Sequence, residues 1–238
     1  MNSVHTQRWN GWTLLAEVIG RLRLLVALLL YAVVLFPAAG RLDWDRGWLM
    51  IAVFAAVILV NAPIVAWRNP EVLRERLKTH HGTKPFDRFF ALAYLVVTIV
   101  FLAVAGLDAG RFGWSSVPDW SAPAGILLVA LSDIPVLWAM LTNRHLETTV
   151  RIQSDRGHGV VTTGPYRFVR HPMYVGMVIQ QIGAPLILGS LWSYVPAAVM
   201  IALLIWRTAR EDETLRRELE GYEEYARTTR YRLVPGVW

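Results

Sequence analysis

The chain contains no cysteine among its 238 residues. This absence excludes disulfides, thiolate metal sites and cysteine nucleophiles, and it leaves the redox compartment open. Charged residues are also sparse, at 18% of the chain, whereas 55% of the residues are hydrophobic and 11 are Trp. Mean hydropathy is +0.38. Soluble domains are nearer about 45–50% apolar, so the excess of hydrophobic residues indicates a lipid bilayer.

Several catalytic signatures are missing as well. No G-x-G-x-x-G motif follows a strand pattern, so we do not expect a Rossmann unit to bind a nucleotide-like cofactor. The G-x-S-x-G, H-E-x-x-H and P-loop motifs are absent too. Adjacent His80 and His81 would point about 100° apart on a helix, which makes a poor metal pair, and no metal site is predicted.

Long apolar runs dominate what is present. A spanning helix needs about 20 such residues, and four runs qualify, at about 22–39, 48–67, 89–107 and 124–142. Two shorter runs, at about 173–188 and 191–206, form a hairpin broken at Gly189-Ser190. We therefore predict an all-α polytopic integral membrane protein with about six membrane helices. No small-residue cleavage site follows the first run, so we expect that run to be retained.

The basic residues lie mainly on one predicted side of the membrane. With the N-terminus inside, 21 of the 24 Lys and Arg fall in cytoplasmic segments. This asymmetry predicts that both termini are cytoplasmic, and we expect the chain in the cytoplasmic (inner) membrane. The net charge of +6 is then explained by membrane topology and by contact with lipid headgroups. Nucleic acid is not an expected partner.

The character of the chain changes at residue 143. Residues 1–142 read as N-terminal transmembrane helices with few polar residues, and Asp133 beside Pro135 is expected to satisfy backbone groups that the proline frees. Residues 143–238 read as a catalytic region in which polar segments flank the apolar hairpin. Because the hairpin returns the chain to the same membrane face, the two polar segments should meet there and form a cofactor site.

The first polar segment contains V-R-H-P-M-Y. Pro172 suits the first turn of a helix and biases His171 toward an extended conformation. A helix N-terminus offers free N–H groups to a carboxylate or phosphate. Tyr166 and Tyr174 add aromatic faces able to stack on a nucleobase or lie against a cation. Gly176 permits close approach of a helix or ligand.

The second polar segment begins at Trp206. Arg207 and Glu211 stand four residues apart on one predicted helical face, where we expect a functional pair. Leu215 and Leu219 continue that face as an apolar stripe. Gly221 ends the regular pattern, and residues 231–238 read as an extended tail.

These segments carry a family resemblance. HGVVTTGPYRFVRHPMYVG (158–176) and RTAREDETLRRELEGYEEYARTTRYRLVPGVW (207–238) resemble the isoprenylcysteine carboxyl methyltransferase family. They are similar, more distantly, to the membrane phospholipid methyltransferases. The resemblance covers roughly residues 143–238, and the N-terminal spans match only in being hydrophobic.

The resemblance implies S-adenosyl-L-methionine as the methyl donor, bound between the two polar segments at the cytoplasmic face. The cofactor-binding positions that it implies are His158, Gly159, Val160, Val161, Tyr166, His171, Pro172, Met173, Tyr174 and Glu211. It also implies that Arg207 contacts the methyl acceptor. Arg207 and Glu211 are therefore the expected catalytic residues. Two positions depart from the family pattern: the second Glu of a Glu-Glu pair is Asp212, and a Gln of eukaryotic members falls at Arg151.

The expected acceptor is lipophilic and comes from the membrane. A carboxylate acceptor is ionised near pH 7 and needs no general base, and Arg207 could hold it by a charge-assisted contact. An amine acceptor, as in phospholipid N-methylation, would need a base that the sequence does not show. The alternative outside this class is an NADPH-dependent membrane reductase of the sterol-reductase type, and a non-catalytic relic is a third. Oligomeric state is left open.

Overall fold

Helices make up nearly all the regular structure in the computed structural model of the chain. The structure describes residues 25–26, 28–77 and 83–238, and none of these lies in a β-strand. The helices are α1 (Leu28–Ala39), α2 (Asp45–Arg68), α3 (Pro70–Leu77), α4 (Pro85–Ala105), α5 (Ser121–Thr142), α6 (Pro172–Leu188), α7 (Tyr194–Glu218) and α8 (Tyr222–Thr228). A π-helical stretch, Gly106–Phe112, extends α4, and short 3-10 turns occupy Ser154–Arg156 and Gly164–Arg167.

Within the described residues, three helices are long and apolar enough to cross a membrane: Asp45–Arg68, Pro85–Phe112 and Ser121–Thr142. They contain the predicted spans at 48–67, 89–107 and 124–142. Helices α1 and α6 are apolar but shorter. The first predicted span is described only in part, and His80 and His81 lie outside the described residues.

The outer surfaces of these helices are apolar. On α2, α4 and α5 the exposed side chains include Leu59, Val60, Leu92, Val96, Leu127 and Leu131. Exposed apolar bands of this extent mark a surface that faces lipid. The chain is therefore an all-α polytopic membrane protein, as predicted.

The α6–α7 hairpin forms where it was predicted. Gly189 ends α6 with a φ of 73°, a left-handed conformation that glycine adopts without steric penalty. The buried Asp108 of the π-helical stretch fixes this turn, because it accepts hydrogen bonds from Ser190 Oγ at 2.6 Å and Ser115 Oγ at 2.6 Å. Helix α7 then continues without a break to Glu218, so the charged second polar segment is a direct extension of the second helix of the hairpin.

Helices α5 and α6 pack at very short distance. A Cβ placed on Gly176 would lie 2.3 Å from the Ser132 carbonyl oxygen, so only glycine fits at this position. The close approach predicted for Gly176 is confirmed and holds the start of α6 against the end of α5. Asp133 of α5 accepts a 2.6 Å hydrogen bond from Asn61 of α2. Its observed side-chain partner is thus an amide on a neighbouring helix, not the backbone freed by Pro135.

Candidate functional site

A cavity opens where α6 begins and α7 leaves its apolar part. It encloses about 800 Å³ of space, counted to its open mouth, which lies within the usual range of small-molecule pockets. All eleven residues singled out from the sequence line it: His158, Gly159, Val160, Val161, Tyr166, His171, Pro172, Met173, Tyr174, Arg207 and Glu211. The hairpin therefore brings the two polar segments together at one end of the helices.

The first polar segment reaches the cavity through two turns. Gly164 has a φ of 59°, and a Cβ there would lie 2.7 Å from Thr142 Oγ1. The 3-10 turn that follows buries Tyr166, whose backbone oxygen accepts a 2.6 Å hydrogen bond from the Tyr225 hydroxyl. Pro172 is the first residue of α6, as predicted from its sequence position. The chain thus passes from loop to helix at the cavity wall.

The two membrane helices of the hairpin are joined at the cavity by a short hydrogen bond. The Tyr174 hydroxyl on α6 donates to Glu211 Oε2 on α7 at 2.5 Å. The Tyr174 ring lies 5.8 Å from the His171 ring in a stacked orientation. The second carboxylate oxygen of Glu211, Oε1, lies 3.9 Å from His171 Nδ1.

Arg207 takes its counter-ion from the N-terminal region. Its Nε donates to Asp87 Oδ1 of α4 at 2.7 Å, and its Nη2 donates to the Thr148 carbonyl oxygen at 2.9 Å. Its guanidinium carbon lies 4.7 Å from the centre of the Phe90 ring and 5.3 Å from that of Tyr174. Arg207 and Glu211 both line the cavity, but Arg207 bonds to α4 and Glu211 to α6, because α4 packs against α7 and supplies a buried carboxylate.

Asp212 is the most heavily bonded carboxylate of the site. It is fully buried and accepts from Arg170 Nε at 2.7 Å, Arg232 Nε at 2.9 Å and Tyr222 Oη at 3.0 Å. His171 Nε2 and Arg216 Nε lie 3.4 Å and 3.2 Å from its oxygens. Burial alone would raise the pKa of Asp212, but the bonds from His171 and Arg170 hold it well below its ordinary value.

The C-terminal tail docks onto the first polar segment. The backbone N–H of Arg170 donates to the Tyr231 oxygen at 2.9 Å, and that of His171 donates to the Arg232 oxygen at 3.0 Å. The Trp238 oxygen then accepts from the backbone N–H groups of residues 232–234. The tail predicted to be extended therefore folds back, and Asp212 ties it to α7 through Arg232.

A loop of residues 143–163 forms the rim of the cavity. The His158 ring lies 4.7 Å from the His145 ring, and its Nδ1 accepts a 3.3 Å hydrogen bond from the Gln153 backbone. Burial, together with the charges of His145 and Arg151, lowers the pKa of His158 to about 4, so the ring is neutral at pH 7. No group of three or more His, Cys, Asp or Glu in the described part of the chain could hold a metal ion.

Arg151, which replaces a family Gln, also lines this rim. It forms a 2.8 Å ion pair with Glu147, whose side chain is almost fully buried. The departure from the family pattern therefore brings a charge pair into the cavity wall.

Sequence reasoning missed several residues of this site. Asp87 lies 120 positions from its partner Arg207, and no local pattern could have connected them. Phe90 and Arg76 come from the same N-terminal region. Arg170 and Asp212 lie inside the two polar segments, and the convergence of those segments brings them together as an ion pair.

Comparisons with known proteins place this site in context. A family model described as phospholipid methyltransferase matches residues 120–220. Protein-S-isoprenylcysteine O-methyltransferase A of Arabidopsis thaliana is 30% identical over 122 residues, which is 50% of this chain and 57% of that protein. The nickel-cobalt-cadmium resistance protein NccN of Alcaligenes xylosoxydans xylosoxydans is 29% identical over 57% of this chain and 59% of its own length. The chain thus spans a little over half the length of these relatives.

One solved structure has a similar fold. It is that of the eukaryotic intramembrane Ras methyltransferase ICMT (isoprenylcysteine carboxyl methyltransferase), with a TM-score of 0.50 at 20% identity. The similarity covers 79% of this chain and 65% of that one. At this identity the likeness concerns the fold alone. The sequence matches include parts of both polar segments, so the chain is similar to isoprenylcysteine O-methyltransferases in sequence and in fold.

Proposed function

We propose that this protein is an S-adenosyl-L-methionine-dependent membrane methyltransferase that acts on a lipophilic acceptor. The observation that carries the proposal is the convergence of eleven residues, drawn from two separate segments, on one cavity at the ends of membrane helices. Such a cavity is open to a soluble cofactor on one side and adjoins lipid-facing helices on the other. We place it, with both termini, at the cytoplasmic face of the inner membrane, because the basic residues of the sequence cluster there.

The chemistry of the cavity wall fits the cofactor. Glu211 offers a carboxylate to an ammonium or ribose hydroxyl, and Tyr166 and Tyr174 offer aromatic faces to a purine or a sulfonium. His158 is neutral, so it does not repel a cationic sulfonium. The remaining cofactor positions are Gly159, Val160, Val161, His171, Pro172 and Met173, which supply backbone groups and apolar contact.

When bound, the cofactor supplies an electrophilic methyl group on a positively charged sulfur. The protein's part is to align the acceptor with that group and to exclude water. The ion pair of Arg207 with Asp87 and the bond of Tyr174 to Glu211 fix the side chains at the centre of the cavity. Both pairs join helices α4, α6 and α7, so the reacting geometry depends on the whole bundle.

The favoured acceptor is a carboxylate on a lipophilic molecule, such as an isoprenylcysteine or another lipid acid. An ionised carboxylate needs no proton removed before it accepts a methyl group. A phospholipid amine is the second candidate, and the match to the phospholipid methyltransferase family supports it. An amine acceptor would require the protein to remove a proton, and the nearest carboxylates, Asp87 and Glu211, are already engaged.

Calorimetric binding of S-adenosylhomocysteine to the detergent-purified protein tests the cofactor directly, with NADPH titrated in parallel. We expect S-adenosylhomocysteine to bind and Glu211→Gln to abolish that binding. The matched control is Glu213→Gln, since Glu213 lies on the same helix but pairs with Arg217 outside the cavity. Binding of NADPH alone would replace this proposal with a reductase, and binding of neither would contradict both.

A further inference from the structure

One arginine at the site differs from the others in its partners. The buried or half-buried arginines of the cavity wall each have a carboxylate within ion-pair distance: Arg207 with Asp87 at 2.7 Å, Arg170 with Asp212 at 2.7 Å and Arg151 with Glu147 at 2.8 Å. Arg76 of α3 has neutral contacts instead. Its Nη1 lies 3.4 Å from the Glu147 carbonyl oxygen and 3.8 Å from Met173 Sδ. Among the described residues, no carboxylate forms an ion pair with it.

The position of Arg76 relates it to the cavity. Met173 and Glu147, its two contacts, both line the cavity, so the guanidinium lies directly behind that wall. Burial lowers the pKa of Arg76, the neighbouring Tyr174 opposes this effect, and the charge of Arg207 adds to it. An arginine stays protonated at neutral pH under such conditions. Arg76 is therefore a partly buried positive charge next to the residues at the centre of the site.

Leaving such a charge without an anion costs free energy. A thioether at 3.8 Å and a carbonyl oxygen at 3.4 Å are long, weak contacts for a guanidinium, which forms its strongest bonds with carboxylates or phosphates. Arg207 does not share this deficit, because Asp87 already neutralises it. An incoming anion would gain more from Arg76 than from Arg207.

We propose that Arg76 recognises the anionic head of the methyl acceptor and so makes the site selective for a lipophilic carboxylate. This inference rests on the proposed methyltransferase function and names its acceptor class. Met173 separates Arg76 from the cavity, and its unbranched side chain can change rotamer to admit the carboxylate.

The test compares carboxylates with uncharged amides of the same shape. The probes are hexadecanoic acid and S-farnesyl-N-acetylcysteine, each paired with its own carboxamide, titrated into detergent-purified protein saturated with S-adenosylhomocysteine. We expect at least one acid to bind about tenfold or more tightly than its amide, the range of a charge-assisted bond. Arg76→Gln should remove this preference, and Arg76→Lys should keep part of it. Arg74→Gln, on the exposed face of the same short helix, is the matched control and should keep all of it.

Equal affinity of acid and amide for the unmodified protein, or an unchanged preference in Arg76→Gln, would overturn the proposal. The affinity for S-adenosylhomocysteine should be the same in both proteins. If that ligand did not bind at all, the proposed cofactor would fail, whereas an acid preference lost in Arg76→Gln would still stand.

Thermal unfolding separates recognition from a structural role. Removing a buried charge that lacks a counter-ion should leave the unfolding temperature of Arg76→Gln without probe equal to that of the unmodified protein, or raise it. The acid probe should raise the unfolding temperature of the unmodified protein alone. A lower unfolding temperature in the variant, with the acid preference retained, would show that Arg76 is structural.

Discussion

The N-terminal region (residues 28–142) and the C-terminal region (143–238) use their polar side chains in different ways. In the N-terminal region polar bonds join pairs of elements: Asn61 of α2 donates to Asp133 of α5, and the buried Asp108 fixes the turn of the α6–α7 hairpin. In the C-terminal region one carboxylate, Asp212, has five donors around it and joins the loop before α6, α7, α8 and the tail. The difference shows that the C-terminal region is held together by polar bonds where it leaves the apolar bundle.

At the cavity, Asp87 links the two regions. It belongs to the N-terminal region, yet it accepts from Arg207 and from the Val150 backbone N–H at 2.9 Å. The two regions therefore share one site. Variants in each region, and at the contact between them, should differ in how much they lower stability.

The largest effect is expected when Asp212 loses its charge. Asp212→Asn leaves Arg170 and Arg232 close together with a neutral acceptor, and breaking a buried ion pair costs about 3–5 kcal/mol. Thermal unfolding in detergent should show this loss, and hydrogen exchange of residues 231–238 should speed up as the tail is released. The control Glu213→Gln removes an exposed charge and should change stability by less than about 0.5 kcal/mol. Full stability of Asp212→Asn would mean that the network is not structural.

A slightly smaller effect should follow when the contact between the regions is broken. Asp87→Asn strands the buried Arg207, and we expect a loss of about 3 kcal/mol together with loss of methyl transfer. The double variant Asp87→Leu/Arg207→Met should recover much of the stability, since apolar residues of similar size can replace a buried pair, but none of the turnover. Unfolding temperature and activity are measured on all three proteins. Activity in the double variant would show that the pair is needed for folding only.

An intermediate effect is expected at the close contact of α5 and α6. Gly176→Ala places a methyl group 2.3 Å from the Ser132 oxygen, so the helices must separate, at a cost of about 1–3 kcal/mol. Gly159→Ala is the matched control for stability, because no atom lies within 4 Å of the added methyl group. Equal unfolding temperatures for the two variants would contradict the close packing.

The smallest effect concerns pH. The pKa of His158 is lowered to about 4, whereas an exposed His titrates near about 6.5. Between these values the unfolded chain binds more protons than the folded protein, so stability falls as pH drops from about 6.5 to 4. His158→Gln should flatten this part of the stability profile, although His145 contributes to the same slope, since burial also lowers its pKa. An NMR titration of labelled histidines should show one ring still neutral at pH 5, and a normal titration of His158 would contradict this.

Much of the C-terminal site could be predicted because its residues lie in two short segments. Pro172 marked a helix start, Gly189-Ser190 marked the hairpin, and the hairpin required the segments on either side to meet. Each of these inferences depends on local backbone preference or on the length of an apolar run. The partners of the charges were harder to predict. Arg207 and Glu211 share a helical face, yet each bonds to a different helix.

The sequence alone determined that this is a membrane protein that resembles the isoprenylcysteine carboxyl methyltransferase family, and which segments face one another. Apolar length, proline and glycine positions and charge asymmetry act locally, so they can be read residue by residue. Only the tertiary structure decided which carboxylate neutralises which arginine, and hence that Arg76 has no anionic partner among the described residues. Those pairings depend on how α3, α4 and α7 pack, because a buried charge is stabilised by whatever group the packing brings within about 3 Å, however distant in the chain.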